Sequence, residues 1–288
     1  SGWRLSLSSD GSRVAISAWS NDGNGSNSGH VRVFQYQVIS GTATWTQLGP
    51  DIDGEAAGDS SGNGMSLSSD GSIVAIGAVS NDGNGTNSGH VRIFKYQVIS
   101  GTPTWTQLGQ DIDGEAAQDS SGRLSLSSDG SRVAISGTNN DGTSGNADDN
   151  RGHVRIFDYN GSAWVQVGQD IDGEAAADVS GKSVSLSSDG SRVAISSTLN
   201  DGANGADSGH VRIYDYNGSA WVQVGGDIDG EAAGDLSGWS VSLSSDGSRV
   251  AIGARSNDGA NGADSGHVRV YSISSGESYQ YAWDVDSG

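Results

Sequence analysis

Five copies of Asp-Gly-Ser-x-Val-Ala-Ile, a near-constant period and short alternating strands in every period predict an all-β fold, a five-bladed β-propeller of four-stranded antiparallel blades. The Asp of each copy is Asp10, Asp70, Asp129, Asp189 and Asp246, at successive spacings of 60, 59, 60 and 57 residues. The repeat spans almost all of the 288 residues, at approximately 1–59, 60–119, 120–178, 179–235 and 236–288, and is read as one domain. A solenoid coil would need a shorter period.

Within one unit, the first strand is Trp239-Ser-Val-Ser-Leu, with Val241 and Leu243 on one face and Ser on the other. Ser245-Asp246-Gly247 is a tight turn in which Gly supplies a positive φ. Arg249 to Gly253 is the second strand, with Val250 and Ile252 opposite Ala251. Ser256 to Gly266 is rich in Asn, Asp and Gly and reads as a loop. His267-Val-Arg-Val-Tyr271 is the third strand. In the preceding unit Ala220 to Val224 is the fourth, joined through Asn217-Gly218, and Asn160-Gly161 has that place one unit earlier. The first two units use QVISGTATW and QVISGTPTW instead, and Tyr281-Ala-Trp283-Asp-Val285 supplies the last fourth strand. Every strand thus has a bulky face and a small one, so neighbouring sheets can pack large against small.

Composition narrows the function classes. A net charge of −20 argues against nucleic acid and against an anionic membrane surface. With 46 Gly and 2 Pro, the chain is expected to turn often and tightly. There is no Cys, so disulfides play no part. No apolar run is long enough to insert in a membrane. Ser1-Gly2-Trp3 matches Ser237-Gly238-Trp239, so the chain starts inside its own pattern and is expected to be cut from a longer protein. The expected partners are a protein or glycan ligand and the other domains of that parent chain, in an extracellular or cell-surface setting.

The repeat resembles the FG-GAP repeat of integrin alpha-chain propellers. Ser237-Gly238-Trp-Ser-Val takes the "FG" place. Ile252-Gly253-Ala254 and Ile76-Gly77-Ala78 take the "GAP" place, each followed by a loop and Gly-His-Val-Arg. The resemblance implies adhesion and ligand binding, and some similar propellers are lectins. The family's usual calcium loop does not carry over, because the connection between the first two strands is only Ser-Ser-Asp-Gly. The integrin members also have more blades.

The acidic residues concentrate in two kinds of connection. The blade-to-blade links place Asp51, Asp53, Glu55 and Asp59 in the first repeat, Asp111, Asp113, Glu115 and Asp119 in the second, Asp170, Asp172, Glu174 and Asp178 in the third, and Asp227, Asp229, Glu231 and Asp235 in the fourth. The loops between strands two and three add others, Asp148 and Asp149 among them, and an up-and-down blade puts both connections on one face. Positions 1, 3, 5 and 9 of each link match the carboxylate spacing of a calcium loop, so calcium is the expected ion. Gly at position 4 and the lack of an acid at position 12 depart from that loop. The competing reading is that these side chains cap turns in the link.

His30, His90, His153, His210 and His267 share one repeat position. Strand spacing of about 4.8 Å sets the third strand too far out for neighbouring His residues to share an ion, so a structural role beside a loop is expected. Arg32, Arg92, Arg155, Arg212 and Arg269, two residues on, are expected to pair with local acids. Trp45, Trp105, Trp164, Trp221 and Trp283 are expected to pack between blades, with sugar stacking as the alternative. No Cys nucleophile, nucleophile elbow or phosphate loop is present. Near-identical carboxylate sets in each repeat favour multivalent binding over one catalytic centre. The chain is therefore expected to be a non-catalytic binding or adhesion module presenting acidic loops on one face. The alternatives are a multivalent lectin or a building block of an extracellular filament or matrix.

Overall fold

The computed structural model describes residues 2–142, 149–259, 262–273 and, for the backbone, 279–284. Ser1, Asp148, Val285 and the Trp283 side chain lie outside the described residues. Among the described residues every regular element is a β-strand, in five sheets.

The first sheet runs β1 (Leu5–Leu7), β2 (Arg13–Ala18), β3 (His30–Ile39) and β4 (Thr42–Gln47), with β5 (Ile52–Asp53) on the free part of β3. The second repeats it with β6 (Ser61–Leu67), β7 (Ile73–Ala78), β8 (His90–Ile99), β9 (Thr102–Gln107) and β10 (Ile112–Asp113). The third has β11 (Ser121–Leu126), β12 (Arg132–Gly137), β13 (His153–Tyr159), β14 (Trp164–Gln166) and β15 (Ile171–Asp172). The fourth has β16 (Ser180–Leu186), β17 (Arg192–Ser197), β18 (His210–Tyr216), β19 (Trp221–Gln223) and β20 (Ile228–Asp229). The fifth is β21 (Ser237–Leu243), β22 (Arg249–Ala254), β23 (His267–Ile273) and β24 (Tyr279–Asp284). The antiparallel meander is the expected one, with one correction. The link is not merely a connection, because its Ile-Asp pair returns as a short fifth strand.

The repeated turn shows why Ser, Asp and Gly are needed. Asp10 Oδ1 accepts from Ser8 Oγ at 2.7 Å and from Ser12 N at 2.9 Å. Gly11 takes φ +68° and donates its N–H to Ser8 O. A side chain at that φ would strain the turn.

Two compact units divide the chain, residues 1–133 with 157–165 and residues 134–156 with 166–288. In the first unit, Ala15, Val31 and Val33 on the small face of sheet 1 pack against Leu67, Val74 and Ile76 on the bulky face of sheet 2. In the second, Ala194, Val211 and Ile213 of sheet 4 meet Val241, Val250 and Ile252 of sheet 5. Alternation within each strand dictates which residues meet, since period-two side chains divide between the two faces.

Candidate functional site

The link folds back on the third strand, and that brings acid to histidine. His30 pairs in register with Asp53, and Val31 with Ile52. Likewise His90 pairs with Asp113, and His210 with Asp229. Gly54 follows because a Cβ there would overlap Ser28 O. Asn24 fastens the link to the loop, its Nδ2 donating to Gly54 O at 2.9 Å and Glu55 O at 2.8 Å.

The four carboxylates of one link then go to different places. Asp51 accepts from Arg32 Nε and Nη2 at 2.8–3.0 Å and from Gln47 Nε2 at 2.7 Å. Asp53 Oδ1 lies 3.9 Å from His30 Nδ1. Glu55 reaches the next repeat, where Oε2 lies 3.8 Å from His90 Nδ1 and Oε1 lies 3.4 Å from Arg92. Asp59 is buried and caps its own turn, accepting from Ala56 N at 2.9 Å and Asn81 Nδ2 at 3.2 Å.

The later links follow the same division. Asp111 accepts from Gln107 at 2.6 Å and lies 3.8 Å from His90 Nδ1. Asp119 accepts from the N–H groups of Glu115 and Ala116. Asp170 accepts from Gln166 Nε2. Burial, followed by the nearby Asp170, pushes the Asp172 carboxyl above its ordinary range. Asp227 accepts from Gln223 at 2.8 Å. Asp178 and Asp235 cap their turns as Asp59 does.

The structure thus gathers one His with two carboxylates. His30 stands with Asp51 and Asp53, His90 with Glu55 and Asp111, and His210 with Glu174 and Asp227, the ligand atoms of each set lying within 4.8 Å of one another. Two of these sets join links of successive repeats, and only the His30 set takes both acids from one link. These are possible metal-binding clusters. His30, His90 and His210 are held below the ordinary imidazole pKa, first by burial and then by the neighbouring Arg32, Arg92 and Arg212. A neutral imidazole keeps a lone pair for a cation. The sequence predicts structural His residues, each apart from the others. They are apart, but each has its own acids. The signal that could have found them is the pairing of His-Val with Ile-Asp, hidden because two residues are too few to read as a strand.

The His30 cluster opens on a cavity of about 490 Å³ lined by Trp3, Trp19, Asn21, His30 and Arg32. The two indoles meet edge to face at 5.7 Å. Arg32 holds Asp51 below the ordinary carboxylate range, chiefly through their hydrogen bonds. Arg92, Arg212 and Arg269 pair with Glu55, Glu174 and Glu231, as expected. Arg92 Nη2 also donates to Asp53 O at 2.7 Å, and Arg212 to Asp172 O at 2.7 Å.

No curated protein sequence matches the chain. Among solved structures, it is similar to the periplasmic gluconolactonase of Pseudomonas aeruginosa at 15% identity and a TM-score of 0.56, over 97% of this chain and 70% of that one. It is similar to a candidate 6-phosphogluconolactonase of Bacteroides uniformis at 14% identity and a TM-score of 0.52, over 98% and 84%. A candidate TolB of Agrobacterium tumefaciens gives 14%, 0.50, 98% and 80%. These likenesses show a shared propeller-like fold. They also overturn the expectation of a non-catalytic adhesion module that is not an enzyme. Two of the neighbours are described as lactonases, so a fold of this kind does not argue against catalysis. The sequence model of the FG-GAP repeat matches residues 228–271, from the last link through β23. The chain therefore carries the FG-GAP repeat that its sequence resembles.

Proposed function

We propose that the chain is a metal-dependent hydrolase of a sugar-acid lactone, with its site at His30. The observation that carries this reading is the meeting of three possible ligands, His30, Asp51 and Asp53, with the cavity walled by Trp3, Trp19 and Arg32. A space of that size suits a monosaccharide-scale ligand. The indole faces can lie against a sugar ring, and a guanidinium suits a carboxylate or phosphate on the substrate. One imidazole and two carboxylates are a three-ligand set of the kind that leaves coordination positions open. The nitrogen donor favours zinc or manganese over the calcium expected from the link, since calcium takes oxygen ligands. When bound, such an ion polarises a carbonyl and lowers the pKa of water. The lactone class comes from the two lactonase neighbours, and the periplasmic one supports a setting outside the cytoplasm. The five sheets are read as five propeller blades, supported by the five sequence copies.

The test is proton release from gluconolactone with the protein stripped by chelator and reloaded with zinc, manganese, magnesium or calcium. Metal content is measured in parallel. His30→Ala and Asp53→Asn should each lose metal and most of the rate. The proposal fails if no loaded form exceeds the uncatalysed hydrolysis, or if His30→Ala keeps the full rate.

A further inference from the structure

We infer that the chain holds two further divalent transition-metal ions, one in each unit, at His90 with Glu55 and Asp111 and at His210 with Glu174 and Asp227, where each ion ties a link to the third strand of the next repeat. Neither site shares a residue with the His30 set, and each lies wholly inside one unit. In both, the carboxylates have one oxygen held and the other turned to the histidine. Glu55 Oε1 lies 3.4 Å from Arg92 Nη1, and its Oε2 lies 3.8 Å from His90 Nδ1. Asp111 Oδ1 accepts from Gln107 Nε2 at 2.6 Å, and its Oδ2 lies 3.8 Å from the same Nδ1. The second unit repeats this atom for atom. Glu174 Oε1 lies 3.6 Å from Arg212 Nη1, and its Oε2 lies 3.9 Å from His210 Nδ1. Asp227 Oδ1 accepts from Gln223 Nε2 at 2.8 Å, and its Oδ2 lies 3.8 Å from that Nδ1. Outer partners of this kind fix the aim of a ligand carboxylate.

The histidines themselves point to a ligand. His90 and His210 are each 1% exposed, and a polar group so buried is expected to be hydrogen-bonded. Their Nδ1 atoms face two carboxylates at distances too long for a hydrogen bond. His210 Nε2 has no partner either. An ion between the three atoms supplies the missing contact. At roughly 2.1 Å from nitrogen and oxygen, tetrahedral ligand atoms stand roughly 3.4 Å apart, so each carboxylate has to close by only about 0.4 Å. The side chains of Glu55 and Asp111 are 44% and 33% exposed, which allows that movement and leaves the ion a way in from solvent. Each site sets two carboxylates against one guanidinium, so a cation meets net negative charge. One imidazole nitrogen with two carboxylate oxygens suits zinc or manganese better than calcium. Because Glu55 and Glu174 belong to the link before the strand that carries the histidine, binding joins successive repeats and should stabilise the fold.

Equilibrium dialysis against micromolar free zinc, with bound metal counted by elemental analysis, reads the sites directly. The background is Asp53→Asn, so that the His30 set does not contribute. On that background Asp111→Asn should lower bound zinc by one per chain, Asp227→Asn by one, and the two together by two. Both positions are partly exposed and Asn can still accept from Gln107 or Gln223, so the fold should be kept. Glu55→Gln and Glu174→Gln replace any variant that does not fold, with the same losses expected. Zinc should also raise the melting temperature of the Asp53→Asn protein, and the rise should shrink in each single variant and vanish in the pair. The inference is overturned if the paired variant binds as much zinc as its background, if zinc is taken up only at millimolar concentration, or if the rise in melting survives in the pair. If Asp53→Asn binds as much zinc as wild type while the other variants lose theirs, the His30 reading fails and the two sites stand.

Discussion

Asp178→Ala should destabilise the second unit by about 3 kcal/mol, and metal should not change that loss. The carboxylate is 2% exposed. Its Oδ2 accepts from Glu174 N at 3.2 Å, Ala175 N at 2.9 Å and Asn200 Nδ2 at 3.1 Å. A hydrogen bond to a charged group contributes about 1.5–3 kcal/mol, and a buried donor left unsatisfied costs about 1–3 kcal/mol. The three do not add fully, because the two backbone N–H groups lie in a surface turn that water can enter, so the expected loss is nearer one and a half such bonds than three. Asp178→Asn keeps an acceptor and should cost about 1 kcal/mol. The assay is urea unfolding followed by tryptophan fluorescence, with zinc and with chelator. A loss within about 0.5 kcal/mol of zero would refute the cap, since surface changes away from such features fall in that range. A loss that disappears in chelator would refute it as well, because the carboxylate would then act through an ion.

Three further outcomes follow from the same structure. Gly89→Ala should cost at least about 2 kcal/mol in urea unfolding, because Gly89 sits at φ +71° and a Cβ would overlap the Ser121 backbone. Gly101→Ala, at φ +83° with nothing within 4 Å, should cost only about 1 kcal/mol. Trp105→Phe should cost about 1–2 kcal/mol through the lost bond to Leu48 O, while the half-exposed Trp45 tolerates Phe within about 0.5 kcal/mol. Stability should rise with pH up to the ordinary imidazole value near 6.5, because His90 and His210 have lowered pKa values in the fold and the unfolded chain binds more protons in that window. Asp10 and Asp246, held at about 2 first by the Ser8 and Ser244 hydroxyls, should keep their contribution above the ordinary carboxylate value and lose it only as pH falls toward 2. A melting temperature flat between pH 5 and 7 would contradict the histidine part.

Sequence alone determined the repeat, the strand meander and the faces. Period-two alternation divides Val250 and Ile252 from Ala251 whatever the neighbours are, and Asp-Gly needs no tertiary context to turn. The acidic links were legible as carboxylates at metal-like spacing. Where those carboxylates go was not legible, because linear spacing carries no information about which strand a link returns to. Only the pairing of Asp53 with His30, and the reach of Glu55 across to His90, made clusters of one histidine and two acids. The same holds for Asp59, Asp178 and their equivalents, which a sequence cannot tell from ligands and which burial turns into caps. Leu7 and Leu67 stand at the same place in the repeat, and only packing decides that one is exposed and the other buried.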